Sequence, residues 1–330
     1  MCVPRWQLPT RTTTMPRRRG GTRGRSRAAE RTLLDNFFAP STKATKASRQ
    51  RTLRRIAHEA GVKLYPLRRD ALIAVAAILK KEGYRSGAKY ILEWRCTNTR
   101  LGHELSDRTR AAVRDVVRAI GRGMGPPRRA RPVKMRDLAA TTGKRAHRAF
   151  LTLHTWFMLR YDEAGRAKAS HVTVDRVFKV VTLFIPRSKT DQEAIGAERS
   201  LKCWCPYVRE WARVVCPYHA AVALLKARRP SWPSALLPAP GGGEWSKAKF
   251  IELLGKTLVN APRRAGAWSG HSCRRGGAQF LASTGVGISE IKKVGRWGSA
   301  AVGKYVEEVA AENVEEVPIL AARAFARRRP

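Results

Sequence analysis

The residues best placed to do chemistry lie in one C-terminal stretch. It reads Gly270-His271-Ser272-Cys273-Arg274-Arg275-Gly276, then Ser283-Thr284-Gly285-Val286-Gly287-Ile288-Ser289-Glu290-Ile291. Val294-Gly295-Arg296-Trp297-Gly298-Ser299 and Lys304-Tyr305-Val306 follow. The spacing predicts three short helices. The first opens near His271 and ends at Gly285, a residue suited to a left-handed C-terminal position. The second begins at Ser289, whose hydroxyl can cap it, with Ile288 as a hydrophobic staple. The third begins at Ser299 and carries Tyr305. His271 and Arg274 stand three apart on one helix face, so an imidazole and a guanidinium can address one oxyanion. Arg275 is adjacent, but Arg274 has the His-x-x-Arg spacing. Taken singly, Trp297 reads as core and Tyr305 as an ordinary half-buried helix residue.

Other suggestive groups carry less. Gly255-Lys256-Thr257 looks like the tail of a phosphate-binding loop, but the glycine needed five residues earlier is Phe250 and the context is helical. His58-Glu59 and His103-Glu104 begin like a zinc-protease helix, yet the second histidine of that motif is replaced by Val62 and Asp107. Cys203-x-Cys205 with Cys216-x-x-His219 offers four soft ligands within seventeen residues. The C-x-C spacing is tight, ten residues separate the pairs, and free cysteines often serve as small buried hydrophobes. The reading therefore assigns no metal and no cofactor, and leaves zinc at these four residues open.

The elements that must position the C-terminal stretch read as follows. Residues 1–29 form a basic arm expected to be disordered, with Arg17-Arg18-Arg19-Gly20-Gly21 and Arg23-Gly24-Arg25 unable to build a core. Residues 30–125 read as a small helical domain. Leu33, Leu34, Phe37 and Phe38 start an apolar stripe, Ala71, Leu72, Val75, Ala76 and Leu79 continue it, and Val113, Val116, Val117 and Ile120 form another. Ser106 is placed to cap the last of these helices. Gly121 to Pro132 holds three glycines and three prolines in twelve residues, so a linker is expected over 126–134. The second domain, 135–330, opens with an apolar helix over Arg148–Arg160. A β-rich stretch from Val172 to Ile185 follows, with a turn at Pro186–Asp191, and helices resume at Pro217. The fold class is mainly α with a small antiparallel sheet.

Charge bounds the partner. Lys and Arg number 66 against 25 Asp and Glu, a formal net charge of +41 in 330 residues. A folded chain so charged repels itself and is expected to meet a polyanion, with nucleic acid first. No apolar run approaches the ~20 residues a spanning helix needs, so no membrane partner is expected. No apolar core of about 7–15 residues follows the basic N-terminus, so no secretory signal is expected. Six scattered cysteines are too few for a disulfide scaffold and fit a reducing compartment.

The C-terminal stretch resembles the tyrosine recombinases, or phage integrases. Their pattern is His-x-x-Arg, a Gly-containing helix segment ending in His or Trp, and a nucleophilic Tyr eight or nine residues on. Here Trp297 precedes Tyr305 by eight, the Trp option being the Cre-like variant. Upstream, Phe157-Met158-Leu159-Arg160-Tyr161-Asp162-Glu163 resembles the family's first arginine motif. Phe184-Ile185-Pro186-Arg187-Ser188-Lys189-Thr190-Asp191 resembles the hairpin that carries its lysine, and Cys216-Pro217 the "CP" opening the next helix. The parts stand in family order and cover about residues 30–310.

The resemblance implies a helical domain that binds the core DNA site and a mixed α/β catalytic domain, closing as a clamp around duplex DNA. Arg160 and Arg274 would hold the scissile phosphate, with further donors from His271 and the Trp297 indole. Tyr305 would attack phosphorus to give a 3′-phosphotyrosine, releasing a 5′ hydroxyl that Lys189 protonates. Glu163 would brace the site. Bond energy is retained in the ester, so neither ATP nor metal is required. The working form is expected to be a homotetramer on two DNA sites, the acidic and apolar tail from Glu307 to Leu320 docking on a neighbour. The Arg/Gly arm points to a mobile element acting in a nucleus. Three alternatives remain open: a recombinase that binds but no longer cuts, a type IB topoisomerase, and a basic protein of chromatin or ribosomes.

Overall fold

The computed structural model describes residues 22–125, 129–188, 195–228, 235–242, 245–262, 266–298 and 302–312. Lys189, the arm over 1–21 and the tail beyond 312 lie outside these. The chain divides into two compact units, Met1–Pro127 and Arg128–Pro330.

The first unit is helical: α1 Thr22–Asn36, α2 Pro40–Glu59, α3 Arg69–Lys81, α4 Gly87–Arg100 and α5 Asp107–Gly121. Its core forms where the 3.6-residue periodicity put it. Leu53 and Ile56 of α2, Leu72, Val75 and Leu79 of α3, Ile91 and Trp94 of α4, and Val113 and Ile120 of α5 pack together. Two polar groups inside this core are satisfied. The Trp94 indole donates to the Leu64 carbonyl at 2.8 Å, and Asn98 accepts from the Leu67 amide at 2.7 Å while donating to the His103 carbonyl at 2.9 Å. Ser106 caps α5, accepting from the Thr109 amide. The N-terminal reading needs two corrections. Residues 22–29, expected in the disordered arm, are helical, because their Arg and Ala residues favour a helix once Leu33 and Leu34 extend it. The stripe at Leu33, Leu34 and Phe37 does not enter the core and stands in solvent.

The second unit contains α6 Met135–Ala139, α7 Arg145–Trp156, α8 Tyr161–Gly165, β1 Val172–Asp175, β2 Val180–Ile185 and β3 Ala197–Lys202. After these come α9 Glu210–Arg213, α10 Pro217–Lys226, α11 Lys247–Thr257, α12 Ser272–Ser283, α13 Ile288–Gly295 and α14 Gly303–Glu312. The strands form one antiparallel sheet in the order β1-β2-β3. The hairpin turn between β1 and β2 is held by the Asp175 carboxylate, which accepts from the Val177 and Phe178 amides. Gly255, Lys256 and Thr257 sit within α11, as the helical context required.

Helix α7 is the hub of this unit, buried from Ala149 to Thr155. It ends four residues earlier than expected. Met158 adopts a left-handed backbone (φ 48°) that turns the chain out of the helix and into the segment bearing Arg160. Helix α12 comes against α7 because its small residues permit it: a Cβ at Gly277 would strike the Thr155 carbonyl, and one at Gly276 the Val133 carbonyl. At the end of α12, Gly285 takes the left-handed conformation foreseen for it (φ 83°). Helix α13 begins one residue before the expected cap. Gly287 occupies the N-cap, since the Ser289 hydroxyl is engaged by the Glu290 carboxylate at 2.7 Å instead of a backbone amide. Ser299, the expected start of the third helix, lies outside the described residues. No described helix is long and apolar enough to cross a membrane.

Candidate active site

Five of the expected site residues come from four separate segments of the second unit. Arg160 is the N-cap of α8, Arg274 lies in the first turn of α12, Trp297 follows α13, and Tyr305 lies in α14. His271 occupies the N-cap of α12, one turn before Arg274, and is exposed. The loop before His271 is tied to α8 by a hydrogen bond from the Tyr161 amide to the Gly270 carbonyl at 3.2 Å. Gly270 is required there, because a Cβ would enter the Tyr161 ring. This contact brings the two arginine-bearing segments side by side.

Arg274 is the best-fixed residue of the group. It is 2 % exposed and donates to the Met158 carbonyl at 2.5 Å and the Gly295 carbonyl at 2.6 Å. Its guanidinium stacks on the Trp297 indole, 4.1 Å from the ring centroid. Trp297 in turn meets Tyr305 edge-on, with ring centroids 6.2 Å apart. Arg274 has five N–H donors, so two carbonyls leave donors for a bound anion. Burial, and then the nearby Arg160 charge, push Arg274 down to about 9. A guanidinium so disfavoured gains much from an anionic ligand.

Glu163 holds the arrangement from behind. Its carboxylate accepts from the Arg160 amide at 2.9 Å and the Arg160 guanidinium at 2.6 Å, and from Arg296 at 2.7 Å. Burial alone would raise this carboxyl, but Arg296, the Arg160 amide and the Arg160 guanidinium outweigh it and hold it below the usual range. Three guanidiniums, Arg160, Arg274 and Arg296, thus act on one another around one carboxylate. The excess positive charge suits a phosphodiester, whose non-bridging oxygens accept bidentate hydrogen bonds. The bracing expected of Glu163 therefore has a geometry.

Sequence reasoning missed Arg296. It looks like one more surface arginine between Gly295 and Trp297, but its left-handed backbone (φ 55°) turns the side chain inward, where it is 7 % exposed. The Gly-Arg step closing a helix was the available signal. His154, also unremarked, is fully buried beneath the site between Phe150 and Phe250, and burial lowers its pKa to about 4. It is therefore neutral at physiological pH. Cys273, next to Arg274, is no rival nucleophile: burial pushes its thiol up to about 12. Lys189 lies outside the described residues, in the connection between β2 and β3. Arg199 of β3 donates to the Lys293 carbonyl at 2.9 Å, so the sheet reaches the helix that precedes Trp297.

Zinc at Cys203, Cys205, Cys216 and His219 was left open by their spacing, and the fold brings their ligand atoms within 4.8 Å of one another. Spacing along the chain was a poor guide because the two pairs sit on different elements that fold together.

The fold these elements build is that of the tyrosine-recombinase integrases, with a helical unit ahead of a unit that carries the three-stranded sheet. Among solved structures, a lambda integrase (75–356) dimer bound to a COC′ core site superposes with a TM-score of 0.58 at 13 % identity. That match covers 85 % of this chain and 93 % of that one. The Tn1549 transposon integrase in complex with circular intermediate DNA gives a TM-score of 0.56 at 14 % identity, over 84 % and 92 % of the two chains. A lambda integrase tetramer bound to a Holliday junction gives 0.53 at 14 % identity, over 85 % and 75 %. No protein-family model matches the sequence, and no curated protein matches it at the sequence level.

Proposed function

We propose that this chain is a site-specific DNA recombinase or integrase that breaks and rejoins duplex DNA through a covalent phosphotyrosine at Tyr305. The observation that carries the reading is the convergence of Arg160, Arg274, Trp297 and Tyr305 from four separate segments around an excess of positive charge. In this reading Arg160 and Arg274 clamp the scissile phosphate and stabilise the charge that grows on its non-bridging oxygens. The Trp297 indole and His271 donate further hydrogen bonds. Tyr305 attacks phosphorus, the 5′ oxygen leaves with a proton from Lys189, and His271 assists removal of the tyrosine proton. The 3′-phosphotyrosine ester keeps the bond energy for the reverse attack by a new 5′ hydroxyl.

The basic helical unit and the catalytic unit grip duplex DNA together in this proposal, and the working assembly is a tetramer on two DNA sites. The similarity to integrases solved on DNA, one of them as a tetramer on a Holliday junction, supports DNA binding and the tetramer. The proposed nuclear site of action rests on the Arg/Gly arm and on the likeness to recombinases of eukaryotic mobile elements. The test is a nicked suicide duplex incubated with the wild type and Tyr305→Phe, without ATP or added divalent cation. A denaturant-resistant adduct with the wild type alone is expected. Tight DNA binding with no adduct on any of a library of duplexes would favour a binding protein that no longer cuts.

A further inference from the structure

Apart from the arginines of the proposed active site, one cluster of ligand-type atoms among the described residues is unexplained. Cys203 follows β3 directly, Cys205 opens a short 3₁₀ turn, Cys216 is the N-cap of α10, and His219 lies in its first turn. Three short segments thus deliver three sulfurs and an imidazole nitrogen to one point. The Cys203 and Cys216 sulfurs are 3.6 Å apart, and His219 Nδ1 lies 3.3 Å from the Cys205 sulfur and 3.9 Å from the Cys203 sulfur. A disulfide needs a separation of about 2.05 Å. A tetrahedron of ligands about 2.3 Å from a zinc ion has edges of about 3.8 Å. The three spacings lie near that edge, and all four ligand atoms fall within 4.8 Å of one another. We propose that Cys203, Cys205, Cys216 and His219 bind a structural Zn²⁺.

Simple burial of small thiols accounts for Cys203 and Cys216, which are enclosed with Tyr218 and edged by Val174, Trp204 and Val222. It does not account for Cys205, which is half-buried, or for His219, which is exposed yet turns Nδ1 toward the sulfurs. Two buried ligands and two more accessible ones leave an ion a way in from solvent. The surroundings also suit a thiolate centre. The backbone amides of His219 and Trp204 point at the Cys216 sulfur, the kind of outer contact that orients a metal-bound thiolate. Binding releases one proton from each of three thiols and leaves a centre of net charge −1. Lys179 and Arg145 stand within electrostatic range of His219 to offset that charge. Three sulfurs and one imidazole select zinc over magnesium or calcium, which prefer oxygen.

The ion would join the exit of β3 to the start of α10. That fastens the far end of the strand that returns from the connection holding Lys189. The metal is therefore structural, and its loss loosens the sheet without removing any of the arginines that face the phosphate.

The test uses the full chain, purified without a histidine tag under reducing conditions. Elemental analysis should find stoichiometric zinc in the wild type. Replacement by Co²⁺ should give the intense visible bands of tetrahedral thiolate coordination, and stripping the metal should lower the melting temperature. Cys96→Ser should keep the zinc, whereas Cys205→Ser and His219→Ala should each lose it to background. The wild-type cobalt spectrum needs no variant to fold. Zinc at background in the wild type, a cobalt spectrum without thiolate bands, or a Cys203–Cys216 disulfide in the reduced protein would each overturn the proposal.

Discussion

The Arg274 guanidinium lies over the Trp297 indole, 4.1 Å from the ring centroid, with two of its donors fixed by the Met158 and Gly295 carbonyls. Position and orientation are set before any DNA arrives. Arg274→Lys keeps a positive charge but loses the fork and the stack. Single-turnover cleavage should fall by about 10²–10³-fold, while duplex affinity, measured at equilibrium, changes by only a few fold. Equal losses in both would mean that Arg274 binds DNA generally and does not act on the reacting phosphate.

In the proposed mechanism Trp297 has two separable jobs. Trp297→Phe retains a ring under Arg274 but removes the indole N–H. A hydrogen bond to a charged oxygen is worth about 1.5–3 kcal/mol, so cleavage should fall about 10–100-fold. Trp297→Ala loses the stack as well and should be slower still. A Phe variant as fast as the wild type would limit the indole to packing.

Glu163 links the site to pH. Its side chain is 3 % exposed and serves two arginines. Glu163→Gln should destabilise the second unit by about 3–5 kcal/mol near neutrality. A carboxyl held below its unfolded value contributes stability that is complete above about 4.3 and is lost as pH falls through its folded value. Urea unfolding of both proteins at stepped pH should show the gap shrinking below that point. A gap that stays constant into acid would contradict the ion-pair account.

On the proposed function, the net charge of +41 makes DNA binding a matter of counterion release. If about 6–10 phosphates are neutralised, affinity for non-specific duplex should drop about 10³–10⁵-fold between about 50 mM and 200 mM salt. Fluorescence anisotropy across that range checks it, and a flat response would remove the clamp.

In the proposed assembly the tail from Glu307 to Leu320 docks on a neighbouring protomer, and removing residues 311–330 takes away the end of α14 and all that follows it. Their deletion should spare cleavage of a nicked substrate and weaken assembly of two duplexes, read by native gel or light scattering. Tetramers of unchanged stability would sink this part of the proposal.

What could be read from the sequence was whatever depends on near neighbours. The His-x-x-Arg spacing, the Ser106 cap, the left-handed Gly285 and the stripe along α3 are set by residues three or four apart. What could not be read depends on distant ones. Strand β3 is half-polar, and its pairing with β2 is visible only once the hairpin closes. Arg296 looks ordinary in the chain because its partner Glu163 arrives through tertiary packing, and the Cys/His group, suggestive in sequence, becomes compact the same way. The exposed Leu33, Leu34 and Phe37 teach the converse: a helical apolar stripe specifies a helix, and burial also needs a surface to meet it.

The covalent bond itself gives the most direct measurement. Trapped adduct can be digested with protease and nuclease and sequenced by tandem mass spectrometry. The account predicts a nucleotide attached through its 3′ phosphate to the phenolic oxygen of Tyr305. A phosphate on any other residue, or a 5′ linkage at Tyr305, would contradict it.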